Sequence, residues 1–212
     1  MREDRYQNVA RFYDRLFEPM NSGLRLLGVR MFRPQKGMAV LDVGCGTGTH
    51  LQLYRRYECS LFGIDTSSSM LEVARDRLGD GAELRLQDAS EMPYENGAFD
   101  LVTCMLALHE MNQAMRAAVI GEMKRVLKDT GRILLIDFHP GPILPYKGWL
   151  TKSIIFLSEL AAGGEHFRNY RHFMAIKGLP TLIQENSLHI EKERLVGGGA
   201  LALFLLSNPN SE

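Results

Sequence analysis

The chain of 212 residues is long enough to bury one sizeable core, and its 25 basic and 25 acidic residues cancel to a formal charge of zero. That balance excludes the basic field of a nucleic-acid binder, and three cysteines with neither an even count nor zinc-ligand spacing argue against a disulfide framework. The charged start Arg2-Glu3-Asp4-Arg5 is unlike a secretion signal, and no apolar run nears the ~20 residues that span a bilayer, so a cytoplasmic protein without a transmembrane segment is expected.

Residues 6–32 read as a helical lead-in. Val9, Phe12, Tyr13, Leu16 and Phe17 recur at helical spacing, and Pro19 with Asn21-Ser22-Gly23 is expected to break the run. From Met38 the pattern alternates, with strands expected at 39–43, 60–64, 82–86, 99–105 and 132–138 and helices at 47–57, 68–78 and 113–128. Such alternation implies βαβ units and a parallel sheet with right-handed crossovers. Pro140-Gly141-Pro142 and Pro145 then open an interruption of roughly 50 residues, longer than an ordinary connection. It carries an apolar stretch at 149–162, ended by Gly163-Gly164, which suits a core or dimer helix, a lid over a greasy substrate or a peripheral membrane contact. Pro180 starts a returning helix, and 188–196 with 201–206, joined by Gly197-Gly198-Gly199, form a closing antiparallel pair. The expected organisation is a helical cap at 1–37, an α/β core at 38–138, a lid insertion at 139–180, and a last helix with the strand pair at 181–212.

The chemistry gathers at the ends of the first three strands. Asp42-Val43-Gly44-Cys45-Gly46-Thr47-Gly48 carries a buried strand through a glycine turn into a helix, whose free N–H groups point at the turn. Asp42 places a carboxylate where a pyrophosphate would be repelled and a cofactor bearing a cation would be welcome. Asp65 ends the second strand, where a carboxylate can accept both hydroxyls of a ribose, and Ser69 to Glu72 matches a capping box. Asp88 follows the third strand and can accept the exocyclic amine of an adenine. Without the glycine turn, Asp65 would be a helix cap and Asp88 a turn residue.

In this order the motifs resemble those of class I S-adenosylmethionine-dependent methyltransferases. Asp42-x-Gly44-x-Gly46-x-Gly48 is similar to their signature, Asp65-Thr66-Ser67-Ser68-Ser69-Met70 to their second motif, and Phe99 to Met105 and Gly131 to Asp137 to their fourth and fifth strands. The resemblance implies an α/β, Rossmann-like seven-stranded sheet with its last strand antiparallel, helices on both faces and a helical cap or lid. It also implies S-adenosyl-L-methionine as methyl donor and S-adenosyl-L-homocysteine as product. By the same resemblance Asp65 holds the ribose, Asp88 with Ala89 the adenine, and Gly44 and Gly46 pass beneath the methionine part, with Cys104 or Met105 near its amino group. Cys45 and Cys104 are expected as small packing residues beside the cofactor. Ala10-Arg11-Phe12-Tyr13-Asp14, Tyr170 to Pro180 and the glycine-rich ending resemble the ubiquinone/menaquinone C-methyltransferase group. The chain departs from that group at Leu106-Ala107-Leu108-His109-Glu110-Met111, which replaces an asparagine-containing sequence, so quinone-, lipid- and polyketide-like acceptors all remain open.

Methyl transfer from a sulfonium is an in-line displacement in which alignment and exclusion of water can suffice. An oxygen or carbon acid also calls for a base, and His109 beside Glu110 is the candidate, against the plainer reading of a histidine packing the next helix. His139 and His166 are further candidates, and Tyr13 is a candidate lid residue, with a core-facing aromatic as its alternative. The sequence spacing shows no clustered metal ligands. A nicotinamide-dependent Rossmann oxidoreductase is the competing enzyme reading, disfavoured by Gly-x-Gly-x-Gly in place of Gly-x-Gly-x-x-Gly and by Asp42. A regulator that binds S-adenosylmethionine without catalysis is the competing non-enzyme reading.

Overall fold

Odd and even residues of the central strands divide between two apolar layers, which fixes the sheet between helices. In the computed structural model, which describes residues 4, 6–7 and 10–209 (backbone only at 11–13 and 16–20), Leu41, Val43, Val102, Ile133 and Leu135 enter one layer. Val40, Leu61, Leu101, Leu134 and Ile136 enter the other, the period-two signature of a sheet covered on both faces.

The strands are β1 Ala39–Val43, β2 Ser60–Asp65, β3 Glu83–Leu86, β4 Phe99–Met105, β5 Leu127–Phe138, β6 His189–Val196 and β7 Leu201–Ser207, in the spatial order β3-β2-β1-β4-β5-β7-β6. β1 to β5 are parallel, and β7 runs antiparallel to both of its neighbours. The helices are α1 Ala10–Phe32, α2 Thr49–Arg55, α3 Ser68–Leu78, α4 Gln113–Val126, α5 Lys147–Ala161, α6 Gly164–Ala175 and α7 Leu179–Glu185. The layer holding Val40 takes its helical partners from α1, α2 and α3, and the opposite layer takes its own from α4 to α7. Strand order reverses between β1 and β4, the switch point at whose carboxyl side open α/β sheets bind ligands.

Three local expectations need correction. α1 runs unbroken through Pro19 and Asn21-Ser22-Gly23, because tertiary packing outweighs the local breakers. Leu24, Val29 and Met31 are buried, and a Cβ added at Gly28 would stand 3.0 Å from both Leu134 Cδ2 and Ile136 Cδ1, so the helix lies directly on the sheet. The cap of α3 is Ser67, whose Oγ accepts the Met70 N–H at 3.1 Å; Ser69, the expected capping residue, is already inside the first turn. β5 begins at Leu127, five residues early, because the chain leaves α4 straight into pairing with Phe99 before a register shift. The stretch after Gly163-Gly164 is a helix, α6, whose buried His166, Tyr170 and Phe173 share one face.

Candidate active site

A cavity of about 740 Å³ opens at the carboxyl ends of β1, β2 and β4. Its floor is the glycine turn, where Gly44, Gly46 and Gly48 all take left-handed backbone, with φ of 71°, 52° and 73°. A Cβ at Gly44 would lie 2.9 Å from Ala107 Cβ, and one at Gly48 would lie 2.8 Å from Leu78 Cδ1, so neither position has room for a side chain. The turn is tied to β2 by the N–H groups of Gly44 and Cys45, which donate to Ile64 O at 2.9 and 3.1 Å.

Of the residues singled out in the sequence, Asp42, Gly44, Cys45, Asp65, Thr66, Met70, Asp88, Ala89 and Met105 line this cavity. Asp65 accepts the Gly46 N–H on Oδ2 and the Ser67 N–H on Oδ1, both at 2.8 Å, which fixes its carboxylate while leaving further lone pairs for a ligand. Burial raises its pKa against the pull of those backbone donors. Asp88 Oδ1 receives the N–H and hydroxyl of Ser90 at 2.9 and 2.8 Å, an Asx turn that orients the carboxylate.

Asp42 differs from both. It is buried, and its Oδ1 has no hydrogen-bond partner among the described residues. Burial pushes its pKa up to about 8; the positive charge of Arg25 opposes that rise and Asp65 adds to it. His50 Nδ1, also without a hydrogen bond among the described residues, stands 3.9 Å away, and burial pushes its pKa down to about 3, so it brings no positive charge. A buried carboxylate lining a cavity with an unmet acceptor atom fits a ligand that brings its own cation. A pyrophosphate brings no such cation and would oppose ionisation of Asp42, which disfavours the nicotinamide reading.

Several residues that sequence reasoning missed brace this floor. Asp14 of α1 accepts the hydroxyls of Thr47 and Thr49 at 2.7 and 3.1 Å and pairs with Arg77, which also donates to Thr47 O at 2.6 Å. Burial works against the Asp14 charge, but the Thr47 and Arg77 hydrogen bonds hold its pKa below the usual range. Asp4 receives the Ser69 N–H at 2.9 Å and the Ser67 and Ser69 hydroxyls at 2.8 Å, placing a carboxylate at the N-terminus of α3 beside the cavity. Burial again opposes the charge, and these hydrogen bonds take its pKa down to about 2.

The opposite wall is made by Met105, Leu106, Ala107, Glu110, Met111, Asn112, Met115, Val119 and Asn169. Leu106 holds a left-handed φ of 54°, the kind of local strain that collects at functional turns. Gly46, Gly48, Cys104 and the candidate base His109 are not among the lining residues. Cys104 is core, with its thiol pushed well up by burial, and the Cys45 thiol is pushed up likewise. Tyr13, the candidate lid, has its side chain outside the described residues.

His109 sits behind the wall. Its Nδ1 lies 2.7 Å from Asp137 Oδ1 and its Nε2 lies 3.5 Å from Glu159 Oε2. Burial disfavours its charge, but the carboxylates of Asp137, Glu110 and Glu159 prevail and raise its pKa to about 9. His166 joins the same group, whereas His139 accepts the Gly141 N–H at 3.2 Å beside Gly199 O and belongs to the start of the insertion. Arg116, fully buried, donates to Leu108 O and Asn169 O at 2.8 and 2.9 Å, which binds α4 and α6 to the 3-10 turn Leu108–Glu110.

Residues 40–131 match the family model of a methyltransferase domain. The chain is 31% identical to the ubiquinone/menaquinone biosynthesis C-methyltransferase of Bordetella avium, covering 79% of this chain and 69% of that one. It is 30% identical to the demethylmenaquinone methyltransferase of Thermotoga maritima, over 78% of this chain and 76% of that one. In fold it is similar to the crystal structure of a S-adenosylmethionine-dependent methyltransferase from Aquifex aeolicus, with a TM-score of 0.66 at 16% identity, covering 93% and 97% of the two chains.

Proposed function

We propose, for a chain that belongs to the S-adenosylmethionine-dependent methyltransferases, that it methylates a small apolar acceptor of the quinone, lipid or polyketide kind. The observation that carries the placement of the donor is Asp42, a buried carboxylate that lines the cavity and has one oxygen without a hydrogen bond among the described residues. In this reading Asp42 answers the positive charge of the methionine part, Asp65 takes the ribose hydroxyls and Asp88 with Ala89 meets the adenine edge. Gly44 and Gly46 supply backbone that approaches without a Cβ.

S-adenosylmethionine supplies, when bound, a methyl group already activated for displacement. The chain's own residues then have two tasks, alignment and exclusion of water. Met105, Leu106, Met111, Met115 and Val119 give the acceptor side an apolar, adaptable wall, while Glu110, Asn112 and Asn169 give it a few polar groups to orient a hydroxyl or carbonyl. His109 is assigned no proton transfer here, since Glu110, not His109, borders the cavity.

The relatives named for ubiquinone and menaquinone biosynthesis support an apolar acceptor. The outer face of α5 supports it independently. Trp149, Leu150 and Leu157 are each more than 60% exposed, Lys147 and Lys152 stand among them, and Glu159, the only acidic residue of the helix, is buried. An apolar face with lysines suits contact with an anionic lipid surface in which such acceptors dissolve. No helix of the described residues is long and apolar enough to cross a membrane.

The test is S-adenosylmethionine carrying an isotopically heavy methyl group, incubated with the protein and an extract of its source cells. Enzyme-dependent label in the organic phase is expected. Label confined to the aqueous phase overturns the apolar acceptor. No transfer despite bound cofactor favours the non-catalytic reading.

A further inference from the structure

We propose that His109, Glu159 and His166 form a binding site for one divalent transition-metal ion of the zinc type, which staples α5 and α6 to the turn after β4. The three residues come from three separate elements: His109 from the turn Leu108–Glu110, Glu159 from α5 and His166 from α6. All three are buried, and a ligand atom from each lies within 4.8 Å of the other two.

One oxygen of Glu159 faces a nitrogen of each ring. Glu159 Oε2 faces His109 Nε2 at 3.5 Å and His166 Nε2 at 2.6 Å. Two ligands held at ~2.0–2.1 Å from a tetrahedral ion sit about 3.4 Å apart, so the first spacing already fits and the second needs an opening of under an ångström. Two imidazoles and one carboxylate are a donor set that zinc and ferrous ions accept, whereas magnesium and calcium call for oxygen.

The outer layer agrees with the inner one. Each imidazole turns its Nδ1 toward a carboxylate, His109 to Asp137 Oδ1 at 2.7 Å and His166 to Glu110 Oε2 at 3.7 Å. At His109 the 2.7 Å contact fixes the tautomer with hydrogen on Nδ1 and aims the Nε2 lone pair at an ion, while at His166 the Glu110 carboxylate stands near Nδ1 beyond hydrogen-bond distance. Without an ion, the same geometry puts Nε2 of both rings against one oxygen while Nδ1 of both faces an acid. With its hydrogen on Nδ1 toward Asp137, His109 then points its Nε2 lone pair at the Glu159 oxygen 3.5 Å away, an unmet buried contact beside a second imidazole whose centroid is 5.6 Å off. One divalent ion accepts both Nε2 lone pairs and the shared Glu159 oxygen with both rings neutral. Phe138, Tyr170 and Phe173 close around His109, so the site lies in an apolar shell.

The site connects to the cavity through Glu110. Its carboxylate lines the cavity, faces His166 and receives the Tyr6 hydroxyl at 3.2 Å on each oxygen. An ion at His109, Glu159 and His166 therefore braces the turn and α6, which carry Glu110 and Asn169 of the acceptor wall, whatever the acceptor is.

The experiment is titration of the chelator-treated full-length protein with Co²⁺, read by its visible absorption, followed by displacement with Zn²⁺. We expect saturable binding of one ion per chain and a rise in melting temperature. His166→Gln and Glu159→Gln are expected to abolish the signal while S-adenosylmethionine still binds, and Asp137→Asn is expected to weaken the ion by about 10–100-fold. Wild-type protein that binds S-adenosylmethionine yet takes up neither ion overturns the site, as do variants that keep wild-type affinity. Should a variant not fold, anomalous diffraction at the zinc edge from the wild type decides: a peak between the three side chains supports the proposal, and a peak elsewhere or none refutes it.

Discussion

The two walls of the cavity are built by opposite means. On the floor, Asp42, Gly44, Cys45 and Thr47 come from one short run of the chain, and their partners Asp65 and Asp88 stand at the ends of the neighbouring strands. On the far wall, His109, Asp137, Glu159 and His166 meet from four elements, spread over 57 positions of the chain. The floor presents backbone and carboxylates to the cavity, and one oxygen of Asp42 has no hydrogen bond among the described residues. The far wall satisfies nearly every polar group internally, and touches the cavity through apolar side chains and Glu110. On the proposed reading, the difference teaches that donor recognition is local in the chain, while the acceptor side depends on how the insertion packs.

The largest effect should come from breaking the local wall. Gly44→Val puts a branched side chain at a φ of 71° and a Cβ 2.9 Å from Ala107. Strain of ~1–3 kcal/mol together with lost backbone approach should weaken S-adenosylmethionine by about 100-fold in calorimetry, with a lower melting temperature. Wild-type affinity in that variant would mean the turn does not touch the cofactor.

A smaller effect follows from Asp42. Its pKa, raised from an ordinary 3.8 to about 8 chiefly by burial, means that the folded protein holds a proton which the unfolded chain releases above 3.8. That contribution to stability is complete below the unfolded pKa and is lost as pH rises through about 8. The melting temperature without cofactor should therefore fall over this window, and Asp42→Asn should flatten the slope. A cationic ligand favours the ionised form, so S-adenosylmethionine affinity should rise with pH by up to about tenfold per unit across the window. A flat profile would detach Asp42 from the cation.

The smallest effect on the cofactor tests the non-local wall. Arg116→Met removes the guanidinium donors from Leu108 O, which keeps the Met111 N–H at 3.2 Å, and from Asn169 O, and should cost ~1–3 kcal/mol, a melting-temperature drop of several degrees. Donor affinity should change less than about threefold while acceptor turnover falls. Equal losses on both sides would erase the distinction between the walls.

Legibility in the sequence divides along the same line. Strand alternation placed the five parallel strands and the closing pair, and Asp42, Gly44, Asp65 and Asp88 could be set beside one cavity because they stand at or just past the carboxyl ends of β1, β2 and β3. Asp14 and Asp4 were not legible, since nothing local says that a lead-in acid will reach Thr47 or Ser69. Pro19 and Gly23 misled for the reverse reason, because the burial of Leu24, Val29 and Met31 is a tertiary fact. In α6 the signal was present: His166, Tyr170 and Phe173 are spaced for one helical face, but a histidine does not count as apolar in a periodicity. The cluster of His109, Glu159 and His166 had no spacing to betray it, as 50 positions separate the first two ligands.

The most direct test of the account is calorimetric titration of S-adenosylmethionine into the wild type and Asp65→Ala. The account predicts one saturable site per chain in the wild type and an affinity lower by about 10–100-fold in the variant, the loss of charged hydrogen bonds to two hydroxyls. Equal affinity in the two proteins, with the variant's fold intact, would contradict the placement of the cofactor across the ends of β1 and β2.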